Sequence, residues 1–184
     1  MDDLSLTIYD LSLNSIRANC KRLDIKYFED TENEKLIITI KDDGEGIKED
    51  VMDHLTDPFY TTRNTRNVGL GLAFLKQLTE LTEGTLNIHS EEHKGTTIYS
   101  EFKLNHVDLP PLGDISETVI GLMMHQNDVD VSYQHQIGNK KIQIEKKDIL
   151  HAIEGLSLQD YKIFRAVKSY IDETIHSIKG EMKL

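Results

Sequence analysis

The chain has 184 residues and carries 21 Lys and Arg against 32 Asp and Glu, which gives a formal net charge of −11 at pH 7. This length suits one domain of about 100–150 residues plus an appendage, and the negative charge disfavours capture of nucleic acid or of an anionic membrane. Cys20 is the only cysteine, so the sequence excludes an intrachain disulfide and a thiolate metal cluster.

We expect no targeting signal at the start of the chain. Met1-Asp2-Asp3-Leu4 has neither a basic segment nor an apolar segment behind it. No stretch approaches the about 18 apolar residues that a membrane-spanning helix needs. These features predict a cytoplasmic protein with neither membrane nor nucleic acid as a partner.

Periodicity in the first part of the chain predicts helices and strands in a mixed order. In chain order these are a helix over 3–19, strands over 24–29 and 35–41, a short helix over 48–55, a polar loop over 56–68, a helix over 70–81, and strands over 85–89 and 96–104. This order predicts an α/β fold in which helices cover one face of a mixed sheet.

A rigid break at Pro110-Pro111-Leu112-Gly113 indicates a boundary. We therefore expect a domain over 1–105 and a C-terminal α+β extension over 106–184. Within the extension the pattern predicts a helix over 115–124, a hairpin over 130–144 that turns at Gly138-Asn139, and a helix over 157–178.

An acid is the next residue on the apolar face of the second predicted strand, at its end. Asp42 shares that face with three apolar residues, Leu36, Ile38 and Ile40. Burying an unpartnered charge costs at least several kcal/mol, so we expect Asp42 in a cavity with a hydrogen-bond donor, such as an exocyclic amine. Gly44 and Gly46 after it permit a sharp turn and the close approach of a flat ligand. The alternative is a surface turn that closes a strand.

Three polar residues form a stripe on the first helix, at a spacing of four and then three residues. The amide of Asn14 could bind Mg²⁺, Arg17 could contact phosphate oxygens, and Asp10 could position or deprotonate a water. A solvated helix face is the alternative.

Glycines also mark the start of the helix over 70–81, where Gly69 and Gly71 leave backbone N–H groups open to an anion. Simple packing is the alternative, and the sequence contains no P-loop or complete Rossmann motif. The loop over 57–63 carries an aromatic residue and a cation and could be a lid or a disordered segment. Thr96 opens the last strand of this part, where its hydroxyl could reach a purine directly or through water.

Taken together and in this order, the motifs resemble the ATP-binding domain of the GHKL superfamily, which comprises gyrase-type topoisomerases, heat-shock chaperones, histidine kinases and mismatch-repair ATPases. The resemblance covers residues 5–104 and is strongest to stand-alone histidine-kinase-like ATP-binding proteins of bacteria. It implies a two-layer sandwich of the Bergerat type, with ATP and Mg²⁺ as ligands and residues 47–68 as the ATP lid.

The resemblance also implies individual roles. Asp42 would accept from the adenine amino group, Asn14 would bind Mg²⁺, Arg17 would contact phosphate, and Thr96 would support adenine through water. Asp10 would be the catalytic base. The nucleotide-binding residues that it implies are Asn14, Arg17, Ala18, Asp42, Gly44, Gly46, Ile47, Phe59, Thr62, Arg63, Gly69, Leu70, Gly71, Leu72 and Thr96.

Two departures from the family pattern bear on activity. Asp10 stands where ATP-hydrolysing members carry Glu, and only nine residues precede it, so we expect no self-phosphorylating helix pair of the sensor-kinase type. We expect slow ATP hydrolysis or phosphoryl transfer to a separate regulatory protein. An ATP-gated interaction module without turnover and a protein kinase resembling anti-sigma-factor serine kinases are the alternatives. A homodimer stays open.

Overall fold

A computed structural model describes residues 3–52, 55, 70–125 and 128–179. Most predicted elements within these ranges are confirmed, and the loop predicted over 56–68 lies outside them. In chain order the elements are α1 (Leu4–Arg17), β1 (Arg22–Asp30), β2 (Lys35–Asp42), α2 (Glu49–Met52), α3 (Leu70–Leu81), β3 (Thr85–Glu91), β4 (Gly95–Lys103), α4 (Ile115–Met123), β5 (Asp130–Ile137), β6 (Lys140–Glu145), α5 (Lys146–Ala152) and α6 (Tyr161–Lys179).

Two elements of the extension differ from expectation. The short helix α5 was not predicted, and α6 begins at Tyr161 instead of residue 157. The later start has a local cause, because the Asp160 carboxylate accepts hydrogen bonds from the N–H groups of Lys162 and Ile163 at 2.8 and 3.4 Å. Such a bond satisfies free N–H groups of the first helical turn and fixes where the helix begins.

The strands form one six-stranded mixed sheet in the order β3-β4-β2-β1-β5-β6. Only β1 and β5 pair in parallel, and the other neighbours are antiparallel. Ile40 of β2 lies between Ile25 of β1 and Ile98 of β4 in the register, so apolar side chains share one face. Helices α1, α3, α4 and α6 cover that face, which confirms the predicted two-layer α/β sandwich.

A single core joins the two parts of the chain. Leu23 and Ile25 of β1 lie opposite Val131 and Tyr133 of β5, and all four are at most 1% exposed. The sheet thus continues past the boundary that we predicted at residue 105. That boundary stays a prediction.

The connection into the extension closes the start of α1. The N–H groups of Leu4 and Ser5 donate to the carbonyls of Pro111 and Leu112 at 2.9 and 2.8 Å, while Asp3 caps the helix by accepting from Leu6 N–H. These bonds satisfy N–H groups that have no partner within the helix. The predicted break at residues 110–113 therefore packs against α1.

None of the described helices is long and apolar enough to cross a membrane.

Candidate functional site

Asp42 is the buried acid that the alternation of β2 predicts. It is 7% exposed, on the same face as the buried Leu36, Ile38 and Ile40, whereas Asp43 is exposed. Both oxygens of the Asp42 carboxylate have partners. Oδ2 accepts from the Ser15 hydroxyl at 2.6 Å, and Oδ1 accepts from the N–H groups of Gly44 and Thr96 at 2.9 and 3.2 Å.

This set of bonds leaves limited acceptor capacity on the carboxylate. Two carboxylate oxygens offer about four lone-pair sites, of which the described donors use both on Oδ1 and one on Oδ2. Because each of these described neighbours donates, the remaining site on Oδ2 suits another donor, such as an exocyclic amine. A carbonyl oxygen in the same place would face a second acceptor without a proton between them.

The glycine turn after Asp42 packs against two other segments. Gly46 has a φ of +67°, and a Cβ built there would come within 2.0 Å of the Glu91 carbonyl oxygen. A Cβ on Gly44 would lie 2.6 Å from the Ala18 carbonyl oxygen. The sharp turn is as expected, but the space of the missing side chains is filled by protein backbone. Close packing is thus one reason for glycine at these two positions, and the approach of a flat ligand stays a prediction.

Ser90 connects the glycine turn to the start of β4. Its hydroxyl oxygen accepts from Ile47 N–H at 2.9 Å, and it shares a hydrogen bond of 2.8 Å with the Thr96 hydroxyl. Thr96 N–H in turn holds Asp42. Sequence reasoning missed both Ser90 and the role of Ser15. Helical periodicity places Ser15 on the buried side of α1 with Leu4, Ile8 and Leu11, but it gives no sign of its partner.

The stripe on α1 lies beside this carboxylate, since Asn14 precedes Ser15 in the helix. The Arg17 guanidinium donates to the Asn14 amide oxygen at 3.3 Å, so two of the three predicted residues are in contact. Arg17 and Asp10 are exposed, and Asn14 is half-buried. The stripe therefore presents an acid, an amide and a cation to the same side of the helix.

An amide oxygen suits Mg²⁺, which keeps several waters and shares its other positions with phosphates. In this structure the same oxygen of Asn14 accepts a hydrogen bond from the Arg17 cation. Binding of Mg²⁺ and the bond to Arg17 would therefore compete for this oxygen. Within the described ranges no group of three or more His, Cys, Asp or Glu could hold a metal. A metal held by the Asn14 oxygen would therefore need further oxygen ligands.

The sequence of this protein matches the family of histidine kinase-, DNA gyrase B- and HSP90-like ATPases over residues 1–106. The chain belongs to this family. The matched region runs from α1 through β4 and contains Asp42, Ser15, Thr96 and the α1 stripe. The predicted GHKL resemblance is confirmed, and membership of an ATPase family supports ATP as the ligand.

Curated relatives of this ATPase domain include sensor kinases. The sensor histidine kinase YvrG of Bacillus subtilis is 32% identical in an alignment of 94 positions, which covers 49% of this chain and 16% of YvrG. The autoinducer 2 sensor kinase/phosphatase LuxQ of Vibrio harveyi is 26% identical in an alignment of 194 positions, which covers 94% of this chain and 22% of LuxQ. The chain therefore spans less than a quarter of either relative.

A solved structure, the N-terminal domain of a DNA repair protein, shares the fold of this ATPase domain. The TM-score is 0.57 at 18% sequence identity, over 78% of this chain and 52% of the other. At this identity the likeness concerns the fold alone.

The remaining predicted site residues divide into two groups. Phe59, Thr62, Arg63 and Gly69 lie outside the described residues, and α3 begins at Leu70. Gly71 and Leu72 lie in the first turn of α3, where a Cβ on Gly71 would be 3.4 Å from Leu11 Cδ2 of α1. The start of α3 thus packs against the helix that carries the polar stripe.

Cys20 lies beside the two acids at the end of β2, just after α1. Burial, with the nearby charges of Asp42 and Asp43, raises the pKa of its thiol to about 11. The side chain therefore stays a neutral thiol at ordinary pH and is a poor nucleophile.

Proposed function

We propose that this domain binds Mg·ATP and uses it for slow hydrolysis or for phosphoryl transfer to a separate regulatory protein. Membership of the ATPase family supports ATP binding. The observation that carries the proposal is the buried Asp42 carboxylate, which three donors hold within the described part of the chain and which has one acceptor position on Oδ2 beyond those bonds. That position would take the adenine amino group.

The α1 stripe would serve the phosphate end of the same ligand. Arg17 would place a guanidinium against phosphate oxygens, and Asn14 would offer an oxygen to Mg²⁺, which supplies charge neutralisation when bound. Asp10 lies one helical turn before Asn14, about 6 Å along the axis, and would orient or deprotonate the attacking group. Positioning and electrostatic stabilisation account for most catalysis of phosphoryl transfer.

A second candidate function is an ATP-gated interaction module without useful turnover. Asp10 is exposed on α1, whereas a general base has to be held within hydrogen-bond reach of its proton. The start of α1 is also bonded to Pro111 and Leu112, so a nucleotide that moves α1 would act on the extension. These two observations favour gating.

Calorimetric titration with Mg·ATP tests the pocket, using Asp42→Asn. The amide oxygen can accept from Gly44 and Thr96 N–H, while the amide NH₂ can reach the Ser15 oxygen, so the fold should persist. The same NH₂ would then face the adenine amino group, donor against donor, and we expect binding to weaken about a hundredfold or more.

Asp43→Asn is the matched control, because it makes the same chemical change one residue later on the opposite face. Oδ1 of Asp43 accepts from Lys21 and Arg22 N–H at 2.7 and 2.8 Å, which an amide oxygen can also do. We expect ATP binding within about twofold of the parent. Equal affinity of the Asp42 variant and the parent would place the adenine site elsewhere.

Phosphate release separates turnover from gating. If Asp10 is the base, Asp10→Asn should lower the rate about a hundredfold while ATP affinity stays similar. If the parent and Asp10→Asn both bind ATP but release phosphate only at the background rate, the gated module remains as the function.

A further inference from the structure

A second concave surface lies between α1 and α4, and we call it the α1–α4 groove. Its volume is about 390 Å³. Leu6, Tyr9 and Gly121 form an apolar floor, and Asp3, Asp114 and Glu117 place carboxylates around it. The walls are tied together, because the Thr118 hydroxyl donates to the Ser5 carbonyl at 3.3 Å. The groove is thus a feature of two packed helices.

The floor stays open because of one glycine. A Cβ built on Gly121 would lie 3.5 Å from Tyr9 Cε2, at ordinary contact distance, so a longer side chain would extend over the Tyr9 ring. Leu6 is 48% exposed, whereas Leu4 and Ile8 of the same helix are 1% exposed. An exposed Leu alone is common, but here it adjoins an aromatic ring and an unfilled space.

The charges around the floor have one sign. Asp3 and Asp114 cap α1 and α4, and Glu117 is exposed. No Lys or Arg of the described residues lines the groove. Lys168 of α6 pairs with Asp114 at 3.0 Å, so Asp3 and Glu117 are the groove carboxylates for which the described residues show no salt bridge. The ligand that this field attracts is cationic.

We propose that the α1–α4 groove docks a cationic amphipathic helix of a partner protein. A groove between two helices accepts the apolar face of a third helix, and basic residues beside that face would meet the carboxylates of Asp3 and Glu117. A second copy of this chain is a poor occupant, because it would bring a net charge of −11 and the same carboxylates to the same place. Like charges at an interface oppose association.

The groove adjoins the residue proposed as the catalytic base. Tyr9 precedes Asp10, and Leu6 and Asp10 lie four residues apart, on one side of α1. A helix in the groove would therefore reach the polar stripe of the ATPase domain. Docking itself goes beyond the proposed function and requires no nucleotide, so the failure of either proposal can be recognised separately.

Fluorescence anisotropy with a labelled model peptide tests the proposal. The probe has about 14 residues, or about four helical turns, with Leu on one face and Lys on the other, and a scrambled peptide of equal composition is the control. At about 0.15 M salt, which screens distant charges, we expect the amphipathic peptide to bind about tenfold more tightly than the scrambled one.

Two substitutions at one position provide the matched comparison. Gly121→Leu would fill the space over Tyr9 and should weaken binding about tenfold, whereas Gly121→Ala adds only a Cβ and should stay within about twofold of the parent. Leu6→Gln is the alternative variant if Gly121→Leu does not fold, because it alters an exposed side chain. It should also weaken peptide binding about tenfold. The Asp42→Asn protein, which tests the ATP site, should bind the amphipathic peptide with the same affinity as the parent protein.

Three outcomes would overturn the proposal. Equal binding of the amphipathic and scrambled peptides would mean general attraction to an acidic protein. Equal binding by the parent and both groove variants would place the peptide elsewhere. A parent dimer in sedimentation that Leu6→Gln or Gly121→Leu converts to a monomer would assign the groove to a second copy of the chain.

Discussion

The Ser15 hydroxyl donates to Oδ2 of Asp42 over 2.6 Å and thereby joins the last turn of α1 to the end of β2. Both groups are buried, at 5% and 7% exposure. Among the described residues this is the bond that Oδ2 accepts, and it fixes the direction of the remaining acceptor position. The helix that carries the proposed phosphate residues thus also sets the geometry of the proposed adenine contact.

Ser15→Ala is expected to weaken ATP binding about tenfold, since a hydrogen bond to a charged group contributes about 1.5–3 kcal/mol and its loss frees the carboxylate to reorient. Calorimetry with ATP and with its analogue lacking the 6-amino group gives the decisive comparison. The analogue has no amine for Asp42, so its weaker affinity should be the same for parent and variant. An equal loss for both nucleotides would indicate a general structural defect.

Gly46→Ala is expected to destabilise the fold by at least about 2 kcal/mol, because the left-handed conformation is strained for other residues and the new Cβ overlaps the Glu91 carbonyl. Gly71→Ala is the control, since its Cβ meets Leu11 at 3.4 Å and Ala favours a helix by up to about 1 kcal/mol. Denaturant unfolding measures both. Equal stability of the two variants would contradict the close packing of the glycine turn.

Local patterns predicted most of the elements in residues 1–105. The alternation that ends in Asp42 predicted its burial, because an extended strand leaves no choice of face. The short helix α5 escaped prediction because seven residues, Lys146–Ala152, are too few to establish a helical period.

The partners of Asp42 depended on contacts between distant segments. Ser15 lies 27 residues before Asp42 and Thr96 lies 54 residues after it, and periodicity says nothing about which hydroxyl or N–H arrives there. The parallel pairing of β5 with β1 also depends on contacts between distant segments, since strand order follows from tertiary packing. The burial of the Asp42 carboxylate was therefore predictable from the sequence, and the residues that donate hydrogen bonds to it were not.

Arg22→Gln is expected to destabilise the whole molecule in one unfolding transition. Arg22 of β1 binds Asp24, Asp130 of β5 and Glu145 of β6, so its loss leaves three carboxylates close together. Arg22 is 34% exposed, and solvent screening reduces the loss to about 1–2 kcal/mol, from the 3–5 kcal/mol of a fully buried pair.

Calorimetric unfolding checks this expectation, with Lys26→Gln on the same strand as an exposed control. The shared core of β1 and β5 predicts that the single transition shifts as a unit. Two separate transitions, of which only one responds to Arg22→Gln, would instead support the extension as a domain of its own.

His135 should make the fold sensitive to acid. It is fully buried on β5, where Tyr133 Oη lies 2.6 Å from Nδ1 and the Tyr27 ring lies 4.6 Å away. Burial, with the nearby charge of Lys179, lowers the pKa of His135 to about 4. Between about pH 6.5 and pH 4 the unfolded chain therefore binds a proton that the folded chain does not.

The contribution of His135 to the free energy of unfolding is fully present above about pH 6.5. As the pH is lowered from there to about pH 4, this contribution falls by about 1.4 kcal/mol per pH unit. His135→Gln keeps a hydrogen-bonding partner for Tyr133 and cannot titrate, so its unfolding free energy should fall less steeply over this range. Denaturant unfolding of the parent and this variant across the range measures the difference, with the exposed His89→Gln as control. Parallel curves for the parent and the His135 variant would show that His135 is not the acid-sensitive group.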